Sequence, residues 1–433
     1  MTSGLARVVI TGMAVNTPLG DTLGGHLDAL LAGRSAIAAW KGFDSSNIDS
    51  KIGGDLSGYD ARARLESLAG ASTSAATAAA FLRAQRLVDR APWSAGLSVA
   101  IAMDAWADAG LFDAGLDRAR AGAIVAGHNL QHRYHDKNFR TFQHEPDFID
   151  PFYAFHSLDT MQTGCVSEAL QVRGTGMIVG AACASGLYAL RSALDEIRFH
   201  GMQAVITVGA VCDFAPIDMH AMGLIGAISQ GAFDADPARA SRPFDVNRNG
   251  FVPAHGGGAV VLEALESALR RNARIYGELV AVETSSDASH LPNPSEDGEA
   301  AAMQRVLTAA GIEPEQVDYV NGHFTSTPAG DIAEINAIKR VFGDHAGKLK
   351  LNATKSLLGH TMSACGIVEL VGTLLQMRAS RLHGSINIEE LDPAIDLDVC
   401  ANSAVHWPVR YLLKNAFGFG GLNASAVVSR YAG

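Results

Sequence analysis

Cys183 lies in the run Gly180-Ala181-Ala182-Cys183-Ala184-Ser185-Gly186, where a strand-like stretch gives way to a helical one. A side chain at so sharp a strand-to-helix turn is held out from the fold, as in the nucleophile elbow of hydrolases. The helix start offers unpaired N–H groups and a partial positive charge. Both favour a thiolate and lower a thiol's pKa, and the same N–H groups can hold an oxyanion. The plainer alternative is a buried structural cysteine, the common fate of a free thiol. It is the reading adopted for Cys165, Cys212, Cys365 and Cys400, which lack a comparable turn.

Three further segments carry groups that would complete such a site. Tyr319 and Val320 lead into a polar loop holding His323, Thr325, Ser326 and Thr327, and such loops often carry function. Taken alone, it reads as a surface turn with a solvated histidine. In Asn352 to His360, Lys355 and His360 precede an apolar helix that bears one acid, Glu369. A lone buried carboxylate is costly, so it needs a partner, and Lys355 is the candidate. A purely structural ion pair is the competing reading. Phe417-Gly418-Phe419-Gly420-Gly421 points to unusual backbone angles or close backbone approach. A main-chain N–H there could be a second oxyanion donor, although alone it is a generic turn. Together, a thiol, two imidazoles and two amide donors are what carbon–carbon bond formation from a thioester requires. The thiolate takes the acyl group, and the imidazoles stabilise a carbonyl oxygen as carbon dioxide leaves.

Short apolar strands alternating with helical stretches must position these groups, which implies a layered α/β fold. Strands are expected at Val8–Thr11 (ended by Gly12), Met177–Ala182, Ala204–Val208, Ala259–Leu262, Leu279–Val282 and Ala424–Val428. Leu187, Leu190, Leu194 and Ile197 share a helix face, and Gly201 ends that helix. Ser363 to Met377 reads as a buried helix. A length of 433 residues suits two core-forming halves or one large layered fold, and charge rises briefly near Arg270–Arg274. No short-period repeat is visible. The net charge of −11 argues against general nucleic-acid binding. The start MTSGLARVVITG has no charged segment followed by a long apolar run, so no signal peptide is expected. No stretch is apolar enough to span a membrane. Five cysteines without C-x-x-C spacing argue against disulfides or a zinc knuckle and for a reducing cytoplasm.

Nearly end to end, the chain resembles the β-ketoacyl synthase branch of the thiolase superfamily, most of all the type II fatty-acid elongation synthases. The resemblance is carried by Val8 to Gly20 (VVITGMAVNTPLG), Ala181 to Gly186 (AACASG), Arg242 to Gly250 (RPFDVNRNG) and Ser285 to Ala288 (SSDA). It continues in the His323 motif, the Lys355–His360 motif (KSLLGH), Glu369 and the Phe417 to Asn423 loop (FGFGGLN). The resemblance implies a five-layered αβαβα thiolase-like fold made of two similar halves. Residues 1–268 would carry the nucleophile and residues 269–433 the catalytic histidines. It implies Cys183 as nucleophile, His323 and His360 for decarboxylation and condensation, and Lys355 and Glu369 as orienting groups. Cys183 and Phe419 N–H groups would form the oxyanion hole, with Gly418 and Gly420 flanking Phe419, which gates the acyl chain. Thr325 and Thr327 would touch phosphopantetheine. The implied partner is an acyl carrier protein, which bears the substrate on that arm. No other cofactor and no metal are implied, and a homodimer is the usual state, with the strand beside the nucleophile in its interface.

Three positions depart from the family pattern. Phe324 stands where Gly is usual and could narrow the site or push the histidine loop. His255 replaces an acid and Leu422 a common Thr. These departures bear on substrate more than chemistry and make a specialised polyketide or polyene pathway more plausible. His128, His132 and His135 would share one face of a helix, a spacing able to bind zinc. No nearby cysteine or acid completes the set, so the segment is expected to shape the acyl pocket or the dimer interface. Two alternative functions stand behind the condensing enzyme. One is a malonyl-thioester decarboxylase, and the other a chain-length-setting subunit of a ketosynthase heterodimer. Relatives of both kinds usually lack the cysteine. A true thiolase would show a His/Cys pattern instead.

Overall fold

The computed structural model describes residues 5–433. Residues 1–4, the start of the segment read as lacking a signal peptide, lie outside the described residues. Ten strands form the main sheet system. They are β1 (Val8–Asn16), β2 (Ala121–Ala126), β3 (Gly176–Val179), β4 (Ala204–Gly209) and β5 (Gly257–Ala264), then β6 (Gly277–Ser286), β7 (Tyr319–Asn321), β8 (Lys350–Asn352), β9 (Tyr411–Gly418) and β10 (Leu422–Ser429).

Their order across the system is β8-β7-β9-β10-β6-β1-β5-β4-β2-β3. Only two residue pairs, Val9 with Glu278 and Ile10 with Gly277, join β1 to β6. On each side of that seam the same pattern recurs. In one half β1–β5 and β5–β4 are antiparallel, and β4–β2 and β2–β3 parallel. In the other, β6–β10 and β10–β9 are antiparallel, and β9–β7 and β7–β8 parallel. In each half the chain visits its five strands in the same spatial order.

Eight helices matter for the site: α1 (Trp93–Asp108), α2 (His132–His144), α3 (Thr160–Leu170), α4 (Ser185–Phe199), α5 (Pro216–Leu224), α6 (Glu296–Ala310), α7 (Pro328–Phe342) and α8 (Cys365–Ala379). Helices α4 and α8 form the middle layer. Leu187, Leu190, Leu194 and Ile197 of α4 join Ile367, Leu370, Val371 and Leu374 of α8 in one core with residues of both sheets. Each such side chain contributes about 1.5–3 kcal/mol by leaving water. Helix α8 is buried along all but its last two residues, as its nearly unbroken apolar sequence demands. The outer layers are α1 and α3 against one sheet and α6 and α7 against the other. The result is the five-layered αβαβα arrangement that the family resemblance implies.

The expected strands are all present, and most are longer than the apolar runs alone suggested. Two boundaries differ. The strand before Cys183 stops at Val179, because Gly180 to Ala182 already turn toward the helix. Gly12 does not end β1: the strand continues to Asn16 through a bulge between Ile10 and Gly12. Gly12 is there for close approach. A Cβ on it would lie 2.4 Å from the Ala105 carbonyl oxygen and 2.6 Å from the Ala109 Cβ. A Gly12→Val variant should therefore wedge α1 off the sheet and lose about 1–3 kcal/mol in denaturant unfolding. Wild-type stability would show that the helix can move aside freely.

Candidate active site

The nucleophile turn is built from small residues and one hydroxyl. Ala182 sits at φ +47°, a left-handed conformation that costs a non-glycine residue about 1–3 kcal/mol. Ser185, the first residue of α4, holds the turn in that state. Its Oγ accepts from the Ala181 N–H at 2.8 Å and donates to the Ala182 carbonyl at 2.6 Å. Cys183 is 8% exposed at the apex.

The β9–β10 hairpin closes over this apex. A Cβ on Gly418 would lie 2.8 Å from the Ala181 carbonyl oxygen and 3.2 Å from the Cys183 nitrogen, so a side chain there would lift the hairpin away. Beyond it, the Phe419 main-chain N–H favours the Cys183 thiolate. Gly420 follows at φ +82°, which turns the chain back into β10. The Phe419 ring is 41% exposed at the pocket mouth.

The two histidines arrive on loops after the parallel strands β7 and β8. His360 Nε2 lies 3.1 Å from Cys183 Sγ. His360 Nδ1 accepts the Met362 N–H at 3.1 Å, so a neutral ring carries its proton on Nε2, facing the sulfur. The His323 ring stands edge-on to that of His360, with centroids 5.3 Å apart. Ligand-type atoms of Cys183, His323 and His360 all lie within 4.8 Å of one another.

Behind the rings lies a buried charge cluster that sequence reasoning found only in part. Lys355 Nζ is 2.6 Å from Glu369 Oε1, the expected pair. Lys414 Nζ is 2.6 Å from Glu369 Oε2. Lys414 also donates to the Asn415 carbonyl at 2.5 Å and reaches the Gly322 carbonyl, next to His323, at 3.5 Å. Glu334 was missed as well. Its carboxylate accepts the main-chain N–H of His323 at 2.9 Å and of Phe324 at 2.8 Å, fixing the loop. The signal that flagged Glu369, a charge on an apolar element, is present at Lys414 within Tyr411-Leu412-Leu413-Lys414-Asn415-Ala416 and at Glu334 on α7.

This dry, cationic setting decides protonation. Burial, then the Lys355 charge, holds both imidazoles well below the ordinary histidine range. Burial also pushes the Cys183 thiol up, against the pull of Lys355 and the Phe419 N–H. Removal of the sulfur from water thus works against the thiolate that the helix start was expected to favour.

A cleft of about 220 Å³ reaches Cys183, His323 and His360 past Thr325 and Thr327. The two hydroxyls are 3.0 Å apart, and Thr327 also caps α7 by accepting the Gly330 N–H at 3.2 Å. The Arg242–Gly250 segment braces this loop: the Arg242 N–H donates to Ser326 Oγ at 3.0 Å, and the Phe244 N–H to Asp331 at 3.1 Å. Phe324 does not push the histidine loop out. At φ +20° its ring turns into the core, edge-on to Phe244 at 4.5 Å. His255 lies outside the cleft, ringed by Trp40, Trp93 and Phe214 with centroids 5.2–5.3 Å away, and it accepts the Leu56 N–H at 3.0 Å. Leu422 is half-buried at the start of β10.

The three-histidine face does not form. His128 precedes α2, His132 pairs with Asp218, and His135 Nδ1 lies 3.1 Å from the Tyr153 hydroxyl. Among the described residues, the clustered ligand-type set is Cys183, His323 and His360 instead.

Two duplicated five-stranded sheets around a paired helix layer, with a cysteine at the start of a central helix, define a thiolase-fold protein. The sequence profile of the β-ketoacyl synthase N-terminal domain matches residues 5–268, and that of its C-terminal domain residues 276–389. The chain belongs to the β-ketoacyl synthase family. It is 34% identical over 431 residues to 3-oxoacyl-[acyl-carrier-protein] synthase 2 of Coxiella burnetii, covering 98% of both chains. It is 32% identical to the polyketide biosynthesis malonyl-ACP decarboxylase PksF of Bacillus subtilis, covering 98% of this chain and 96% of that one. Among solved structures, the ishigamide ketosynthase/chain length factor superposes with a TM-score of 0.86 at 28% identity, covering 99% of this chain and 100% of the other.

The lowered imidazole pKa values make a pH prediction. A group with a depressed basic pKa keeps its neutral form as pH falls through its ordinary value, near 6.5 for histidine. Any rate that needs neutral His323 and His360 should stay level through that range, and a half-loss centred near 6.5 would contradict the burial argument. Lys414→Met removes one of the charges that depress His323, so its acid-side loss of activity should move to higher pH. An unmoved profile would show that Lys414 does not act on the ring.

Proposed function

We propose that the chain is a β-ketoacyl-(acyl carrier protein) synthase that condenses an acyl group with malonyl carrier protein in fatty-acid or polyketide biosynthesis. The observation that carries this reading is the approach of His360 Nε2 to Cys183 Sγ at 3.1 Å, beneath the Phe419 N–H and beside His323.

Cys183 Sγ attacks the acyl thioester. A new S–C bond forms, the carrier S–C bond breaks, and the thiol proton leaves on the carrier thiol. The Cys183 and Phe419 N–H groups hold the transient oxyanion, with Gly418 and Gly420 allowing the approach and Phe419 gating the acyl chain. Malonyl carrier protein then enters along Thr325 and Thr327, which contact its phosphopantetheine. Its carboxylate departs as carbon dioxide, and the enolate oxygen accepts from His360 and His323. The enolate carbon bonds to the acyl carbon, the acyl–Sγ bond breaks, and the sulfur takes up a proton. Lys355 and Glu369 orient the histidines. Both substrates arrive on the phosphopantetheine arm of the carrier.

Residues 1–268 act as the nucleophile-bearing half and 269–433 as the histidine-bearing half. The repeated strand order supports this division. A dimer through the free edge of β3 is supported by its place at the end of the sheet and by the exposed Phe139, Phe142, Phe148, Phe152 and Phe155 nearby in sequence. Either a second copy or a ketosynthase-like subunit fits this role. A cytoplasmic setting is supported by five free cysteines. No helix among the described residues is long and apolar enough to cross a membrane.

Likeness to PksF favours one further reading, malonyl-carrier decarboxylation without condensation. Mass spectrometry of the carrier products separates the two. Chain-extended product from the wild type and none from Cys183→Ala is the expected result. Elongation by Cys183→Ala at the normal rate overturns the assignment, and acetyl carrier protein as sole product supports the decarboxylase.

A further inference from the structure

A second cavity, of about 320 Å³, also reaches Cys183. Ala182, Phe214, Met222, Met362 and Phe419 give it an apolar wall. Its other end is different. It shares Asn129, His132, Asp218 and Ala221 with a third cavity of about 560 Å³ that does not touch Cys183. His128, Asp213 and Ser363 also line the cavity, but Asn129, His132 and Asp218 mark its junction with the cavity that does not touch Cys183, and a plain alkyl chain reaching that junction would be better served by apolar side chains.

The polar end is a fixed pair. His132 Nδ1 is hydrogen-bonded to Asp218 Oδ1. Asp218 is held in turn, since its Oδ2 accepts the Ala215 N–H at 2.8 Å at the start of α5. The His132 side chain keeps 37% of its surface exposed and that of Asp218 15%, so the pair is open to an occupant. With Nδ1 committed to the carboxylate, Nε2 is the ring atom left to read one. It donates when the ring is protonated and accepts when the ring is neutral. A hydroxyl satisfies either state. A methyl end would strip water from the pair and return no hydrogen bond, which is the situation in which a polar site rejects an apolar analogue.

We propose that the acyl chain carried on Cys183 ends in a hydroxyl group, and that His132 and Asp218 are the residues that select it over an alkyl end. The proposal rests on Cys183 being the acyl acceptor and deepens that reading by naming the substrate class.

The test uses the intact protein and two sets of acyl carrier proteins, ω-hydroxyacyl and plain acyl, matched in length across short and medium chains. The ratio of acylation rates of Cys183 is read by intact mass, which requires no condensation. The expected result is a preference of about tenfold or more for the hydroxyl-ended primer at the length that spans the cavity. His132→Leu should bring that ratio to one or below, and His132→Gln, which keeps a donor and an acceptor, should retain most of it. A wild-type ratio of one or less at every length overturns the proposal, as does an unchanged ratio in His132→Leu. Failure of the condensing reading looks different: acyl-Cys183 forms with its ratio intact, yet malonyl carrier protein yields no extended product.

Discussion

The pocket depends on one close contact between the two halves of the chain. The β9–β10 hairpin, from the histidine-bearing half, touches the backbone of the nucleophile turn at Gly418. The middle layer allows it. Gly186 and Gly366 bring α4 and α8 close enough that a Cβ on Gly186 would lie 3.0 Å from the Gly366 Cα. A wider helix pair would separate the sulfur on one half from the imidazoles and the Phe419 amide on the other. The tight crossing of small residues is thus a condition for having a site, beyond its value as packing.

Given that contact, the electrostatics follow from burial. Two ammonium groups clamp one carboxylate behind two neutral rings. The ammonium charges beside a site screened from water favour neutral imidazoles. The thiol bears the opposite consequence, since burial raises the cost of its anion. The Nε2–H of His360 already faces that sulfur.

The two cavities that meet at Cys183 differ in kind. One passes hydroxyls of the threonine loop and the capped start of α7, suited to a polar linker. The other runs along methionine and phenylalanine toward an imidazole–carboxylate pair. The sulfur stands where they join, so it can be reached from both sides.

The sequence by itself determined the layered α/β class, the strand cores and the chemical types at Cys183, His323, His360, Lys355 and Glu369, because each is written in local pattern. Hydrophobic period marks strands and helices, and a lone acid on an apolar helix announces a partner. Tertiary structure alone decided how many partners that acid has and where cavities end. Lys414 reaches Glu369 from a strand 45 residues away in sequence. Phe324 turns inward only because Phe244, from a distant segment, offers it an edge. The three histidines near residue 130 lost their common face because helix α2 begins at His132, and His132 found Asp218 on another helix. Contacts between residues distant along the chain carry no local signature, so only the folded geometry could assign them.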